Sequence, residues 1–355
     1  MIKEHHEHDT QEKIDQKIEN KNEVFIRENS KLINQVEEIY NGFDNQEFQY
    51  EKCQHINRYA ANVFTLILTA NEMERRTLFY YFSKKKRATI LQIPCDGIIY
   101  SFFSINGINV AHVEPETIGS FTENGMVPTL KKALKRIKPT VVITLGVAFG
   151  VNYIEDQIGD VIIGRQLFSY DKATKIKKNS LKIKKLHVLE SDGSLLYKLK
   201  SRIQMERKIT GHLNNKFQAI LGNMLTGEYV VDSSTFRQII ISPFAPFGVV
   251  GGEMEGFGFF NVLKENKHAH GILIKGICDW AAGKNDDVHD PDAIADCSTK
   301  DYKNIFQVLA MLNVCTVCDQ FLVNEKFFSD YKIKGCKKRF WRLIGKIKRK
   351  FKGMR

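Results

Sequence analysis

Between about residue 60 and residue 324, short apolar runs of β type alternate with segments of helical spacing, and this alternation limits the fold more than any other feature of the chain. Strand-like runs fall at 63–69, 98–103, 108–113, 141–145, 161–163, 218–225, 247–250 and 271–277. Helical segments lie near 72–82, 124–137, 194–207, 253–265 and 300–323. A strand covered on both faces reads as a continuous apolar run, and helices between such strands supply the cover. The pattern therefore predicts an α/β fold with a central mixed, mostly parallel sheet flanked by helices. The Lys-rich stretch 172–185 has no strong periodicity and reads as a surface loop or hairpin.

The two ends differ from this middle region, dividing the chain into 1–58, 59–324 and 325–355. Residues 1–58 are polar and of mixed charge, with Ile18, Phe25, Leu32 and Ile39 recurring every seven positions. That stripe predicts a helical N-terminal extension, one or two helices packed on the core or on a partner. Glu4-His5-His6-Glu7-His8 has metal-ligand chemistry, but a cluster at a chain end is usually solvated, and no metal site is assigned to it.

The segment from Lys326 to Arg355 holds thirteen Lys or Arg and one acid, Asp330, so the whole net charge of +12 sits there. A fold without a net positive field does not point to nucleic acid as the main partner. Within the tail, Phe340, Ile344, Ile347 and Phe351 share a helical face flanked by Trp341 and Leu343. This predicts a basic amphipathic helix suited to an anionic membrane surface, with nucleic acid or a protein as the other cation-seeking partners. The first thirty residues lack the apolar core of a secretory signal, and no uninterrupted apolar run approaches the roughly 18 residues of a membrane span. Seven scattered cysteines fit reduced thiols better than a disulfide framework, so a cytoplasmic chain, peripheral at the inner membrane face through its tail, is expected.

Four stretches of the middle region carry chemistry. In Leu66-Ile67-Leu68-Thr69-Ala70-Asn71-Glu72-Met73-Glu74, a strand runs into a helix whose first turn holds two carboxylates. Acids there also suit the positive end of the helix dipole, which is reason enough for them in most proteins. Thr144-Leu145-Gly146-Val147-Ala148-Phe149-Gly150 stands at the carboxyl end of a buried strand, where α/β sheets bind ligands and glycine lets backbone approach closely. Gly251-Gly252-Glu253-Met254-Glu255-Gly256 is another strand-to-helix junction, with carboxylates able to accept hydrogen bonds from vicinal hydroxyls. In Lys275-Gly276-Ile277-Cys278-Asp279-Trp280-Ala281, an acid just past a buried strand has the setting of a proton donor.

Taken in order, with Gly227-Glu228-Tyr229-Val230-Val231-Asp232 between the second and third, these stretches resemble the purine nucleoside phosphorylase superfamily, in particular its methylthioadenosine/S-adenosylhomocysteine nucleosidase-like branch. The resemblance spans about 62–324. It implies that Asp279 protonates N7 of a purine, that Glu74 activates water, and that Met254 and Glu255 lie under the ribose. It also implies that Val230 and Val231 line the base, and that Gly146, Val147, Ala148 and Cys278 border the substrate. The expected activity is hydrolysis of the N-glycosidic bond of a purine nucleoside or nucleotide, adenine being the favoured base, without metal or organic cofactor and in a homo-oligomer. A nucleotide-depleting defence effector, a phosphate-dependent phosphorylase and a non-catalytic nucleotide sensor are the other functions this architecture suggests.

Three positions depart from the family pattern. Val147 stands where phosphorylases present a Ser or Thr hydroxyl to phosphate, which favours hydrolysis. Cys278 replaces a Ser before the acid, and Lys275 replaces an Arg four residues before it. Arg75, Arg76 and the cluster Lys84–Arg87 offer cations to a 5′-phosphate, although solvated surface charge is their ordinary role.

Overall fold

The apolar runs of the middle region become the buried strands of one sheet. A computed structural model describes residues 11–177, 180–183, 185–203, 208–231, 233–281 and 299–322. The order is α1 (Gln11–Glu28), α2 (Ser30–Asn41), β1 (Gln49–Tyr50), α3 (Ile56–Ala60), β2 (Thr65–Leu68), α4 (Glu72–Lys86), β3 (Leu91–Cys95), β4 (Ile98–Ile105), β5 (Ile108–Val113), α5 (Met126–Arg136), β6 (Val141–Gly150) and β7 (Val161–Ser169). It continues through α6 (Tyr170–Ala173), β8 (Thr174–Lys177), β9 (Ser180–Ile183), β10 (Val188–Glu190), α7 (Gly193–Lys200), β11 (Ile209–Thr210), β12 (Lys216–Phe217), β13 (Ala219–Thr226), α8 (Ser234–Ile241), β14 (Val249–Glu253), α9 (Gly256–Glu265), β15 (His270–Asp279) and α10 (Thr299–Leu322).

The sheet runs β1-β3-β4-β5-β2-β6-β14-β13-β7-β10, with β15 inserted between β6 and β7. It is mixed, and the pairs of β2 with β5 and β6, and of β6 with β15, are parallel. The strands β6, β15, β7, β13 and β14 each pair with the next, and β14 returns to β6. Closure into a ring removes the free edges of these strands and fixes their register against one another. β2 is buried along all four residues, as a strand covered on both faces must be.

Both β6 and β14 run further than their apolar patterns suggest. Gly146–Gly150 is strand rather than loop, because β15 pairs with it as far as the partners Asp279 and Phe149, and β14 joins at Phe149 and Gly150. The Lys-rich segment forms an antiparallel hairpin, β8 with β9, the second of its two expected forms.

The seven-residue stripe near the N-terminus is broken at Asn29, between α1 and α2. Ile18, Ile33, Val36 and Ile39 are buried against the main domain, and Phe25 meets Phe306 edge-on with ring centroids 5.8 Å apart. The stripe is thus an ordinary packing face. Helix α10 resembles a membrane span by length and composition alone. Tyr302–Leu322 is long and apolar enough to cross a membrane, with mean hydropathy 1.6, yet 89% of that window is buried within the protein. It packs on α2, α4, β6 and β15 as a core helix.

The cysteine expectation is corrected at one place. Pairing of the edge strands β1 and β3 brings Cys53 and Cys95 together, Cα atoms 5.0 Å apart, in a disulfide that ties the N-terminal extension to the sheet. Cys278, Cys315 and Cys318 are buried thiols outside this disulfide. The His-rich cluster at residues 4–8 and the basic tail 325–355 lie outside the described residues.

Candidate active site

Asn71 caps α4: its side chain accepts the backbone N–H of Glu74 at 3.0 Å, in an extended conformation. Asn-x-x-Glu is the spacing of a capping box, in which the acid at the third helical position turns back over the helix start. Glu74 does turn back, but to different donors. One carboxylate oxygen accepts the N–H of Ala70 at 2.6 Å, and the other reaches across to β6 and accepts the N–H of Val147 at 2.9 Å. A residue that the sequence alone explains as a helix cap is held by two strand ends. Burial, opposed by Lys275 and reinforced by Glu255, raises the Glu74 carboxyl to a pKa of about 7.

Lys275 lies beside it. On β15, Lys275 is the parallel partner of Gly146, and its ammonium is fully buried. It donates to Glu255 at 2.9 Å and lies 3.6 Å from Glu253. Burial by itself would push this ammonium down, but Glu255, Glu253 and Glu74 outweigh it and hold the group above its usual value. Glu253 in turn accepts the N–H groups of Glu255 and Gly256 at 2.9 and 2.8 Å, at the positive end of α9. Burial raises the Glu253 carboxyl against the pull of Lys275. With one cation beside them, Glu74 and Glu253 retain protons more readily than exposed acids do.

Gly146 is the residue that makes this approach feasible. A Cβ there would lie 2.5 Å from a Glu74 carboxylate oxygen and 2.9 Å from the Lys275 ammonium. Gly146→Ala is therefore expected to push both groups out of place and to lower activity by about 10²-fold, the cost of a displacement near 1 Å. A kcat unchanged from wild type in steady-state kinetics would show that the cluster tolerates the methyl group.

Asp279 closes β15. The register slips between Ile277 and Asp279, so Cys278 is the extra residue of a bulge and the acid is re-aimed at the strand end. The Asp279 carboxylate accepts the N–H of Ala281 at 2.8 Å and the Cys278 thiol at 3.3 Å. Asp279 faces Phe149, and Glu74 bonds Val147 on the same strand, only two residues or about 7 Å of strand rise away. The two acids thus follow β2 and end β15, the strands that flank β6 on either side.

The other expected site residues divide. Ala148 and Glu255 are buried, Met254 is half-buried, and Val147 contributes its backbone N–H. Val230 is exposed. Val231 is buried in a separate apolar cluster with Phe168, Tyr170, Ile240 and Phe244. Three of the cations suggested for a 5′-phosphate are committed elsewhere. Arg75 pairs with Glu114 at 2.5 Å, Arg76 with Asp44 and Glu72, and Lys86 with Asp319.

Two further contributors were given no role from the sequence. Ser120 donates to the carbonyls of Met254 and Glu255 and accepts the N–H of Gly258, pinning the start of α9. Glu228 accepts the N–H of Ser120 at 3.0 Å, so the loop before α5 and the stretch after β13 are tied together. Among the described residues, the grouping with metal-ligand chemistry is Cys53, Cys95 and Asp96, whose sulfurs are bonded to each other. A groove of about 680 Å³, lined among others by Tyr50, Arg58, Tyr59 and Phe102, lies at the amino ends of β2 and β5 and holds none of the site residues.

The closed ring of five strands, with carboxylates gathered beside β6, gives the chain the fold of solved nucleosidases. Among solved structures, a 5′-methylthioadenosine/S-adenosylhomocysteine nucleosidase from Neisseria meningitidis, in complex with methylthio-immucillin-A, is 16% identical, with a TM-score of 0.55 over 73% of this chain and 98% of that one. The corresponding enzyme from Colwellia psychrerythraea, in complex with adenine, is 17% identical (TM-score 0.56, 74% and 96% covered). Futalosine hydrolase from Helicobacter pylori is 15% identical (TM-score 0.56, 74% and 98% covered). No protein-family model and no curated protein matches the sequence.

Proposed function

We propose that the chain hydrolyses the N-glycosidic bond of a purine nucleoside or nucleotide and releases the free base. The observation that carries this is the double backbone anchoring of Glu74, at the N–H groups of Ala70 and Val147, two rungs from Asp279. Glu74 takes a proton from water as the water oxygen bonds to C1′ of the ribose. The bond from C1′ to N9 breaks, its electrons pass to the purine, and Asp279 supplies a proton to N7, so that the base leaves neutral. Glu255, fixed by Lys275, holds the ribose hydroxyls, and the buried carboxylates favour the positive charge that builds on the sugar.

The geometry at Val147 supports hydrolysis over phosphorolysis. Its N–H is already taken by Glu74, and its side chain offers no hydroxyl to a phosphate oxygen. The solved nucleosidases and the hydrolase that share the fold support the same reaction class, and the structure with bound adenine favours an adenine-containing substrate.

A base-release assay on adenosine, methylthioadenosine, inosine, AMP and ATP, with and without phosphate, tests this. Free base with a reducing sugar is expected in the absence of phosphate. Release only with phosphate, giving ribose 1-phosphate, would make the chain a phosphorylase. Binding of a nucleoside by calorimetry without turnover would make it a sensor.

A further inference from the structure

We infer that helix α1 positions Asp279, acting through Trp280, so that the N-terminal extension belongs to the catalytic apparatus. This inference rests on the proposed role of Asp279 as proton donor. Three contacts carry it. The Asp279 carboxylate is oriented by the N–H of Ala281 at 2.8 Å, a residue on the far side of Trp280. Ala281 has φ 51°, a left-handed conformation that a residue with a Cβ holds only where its surroundings impose it. Trp280 is the side chain between them, and it is almost fully buried.

The indole is fixed on two sides. Its six-membered ring lies against the end of β6, where a Cβ on Gly150 would come within 2.6 Å of it. Its N–H donates to the side-chain oxygen of Asn22 on α1 at 3.1 Å, 258 positions earlier in the chain. The ammonium of the neighbouring Lys21 sits 5.0 Å from the Trp280 ring and also donates to the carbonyls of Tyr153 and Asp156 in the loop after β6. Lys21 and Asn22 therefore join α1 to the end of β15, which carries Asp279, and to the loop after β6, the strand whose Val147 holds Glu74. The turn 279–281 cannot relax without moving the indole, and the indole cannot move without breaking its bond to α1.

The test is a double-mutant cycle with the full chain, on whichever of the five assayed substrates is cleaved fastest. Asn22→Ala is expected to lower kcat about 10-fold with KM within about twofold, a fraction of the 10²–10⁴ that general acid catalysis supplies. Asn22→Asp, which keeps an acceptor oxygen, is expected to restore most of the rate. In an Asp279→Asn background, followed by single turnover, Asn22→Ala is expected to cost nothing further, because the group it orients is gone. The same 10-fold loss in both backgrounds, or no loss of kcat in the first, overturns the inference. If Asp279→Asn alone leaves base release at the wild-type rate, the assignment of the acid fails instead. A melting temperature for Asn22→Ala measured beside the kinetics separates a local reorientation from general loss of fold.

Discussion

Replacing Glu74 by Gln is expected to lower base release by about 10³-fold at neutral pH, within the range for loss of a general base, while stability holds or rises. The two effects part because the same burial that prepares the group for catalysis makes it a burden on the fold. Gln keeps the acceptor oxygen facing Ala70 or Val147 but cannot take a proton from water. With its carboxyl raised to about 7, Glu74 is mostly protonated below that value. The wild-type kcat/KM should therefore rise about tenfold per pH unit below 7 and level off above it.

Stability runs the opposite way. Because the folded pKa lies above the unfolded one, the unfolded chain releases this proton first. The contribution of Glu74 to stability is greatest below about 4.5 and is lost as pH rises to about 7, a change on the order of 3 kcal/mol. Gln has no proton to lose, so the advantage of Glu74→Gln in urea unfolding should grow over that interval. A variant with wild-type turnover, or one whose stability difference is flat from pH 4.5 to 7, would remove Glu74 from the role proposed for it.

Lys275→Met is expected to be the most damaging substitution for the fold itself. It removes the cation from a group of three buried carboxylates and puts an apolar chain of similar length in its place. Breaking a buried ion pair from one side costs about 3–5 kcal/mol, because the remaining charge has neither water nor partner. Lowering the pH should recover part of this, since Glu74 and Glu253, already raised by burial, then take up protons. Lys275→Arg keeps the charge and should retain most of the stability, less about 1–3 kcal/mol for fitting a larger head beside Gly146. Urea midpoints at pH 7 and pH 5 for the three proteins decide this. Equal midpoints for Met and Lys at pH 7 would show that the ammonium does not stabilise the cluster.

Part of the site is legible in the amino-acid sequence. Glu-Met-Glu-Gly and Cys-Asp-Trp-Ala stand at strand-to-helix and strand-end junctions, places where chain direction alone exposes a side chain to a crevice. Lys275 is recognisable there as a departure from the family pattern, but not as the cation that binds Glu255 and lies beside Glu253. Its sequence neighbours on β15 say nothing of β14 or α4. Ser120 and Asn22 carry no such signal, and Glu228 stands in a quoted motif without a legible role, because each acts by hydrogen bonds to segments more than a hundred residues away. The helix α10 misleads in the other direction. Its composition suits lipid as well as it suits a protein interior, and only its neighbours tell the two apart.

The sequence by itself determined the alternation of strands and helices, the polar N-terminal helices, and which acids end buried strands, since these follow from short-range periodicity and from the chemistry of single side chains. Only the tertiary structure decided that Glu74 leaves its own helix start to bond Val147, that one ammonium serves three carboxylates, and that α1 reaches Trp280. Those contacts depend on strand order and closure of the five-stranded ring, which place residues from remote parts of the chain a few ångströms apart where water is excluded and charge is costly.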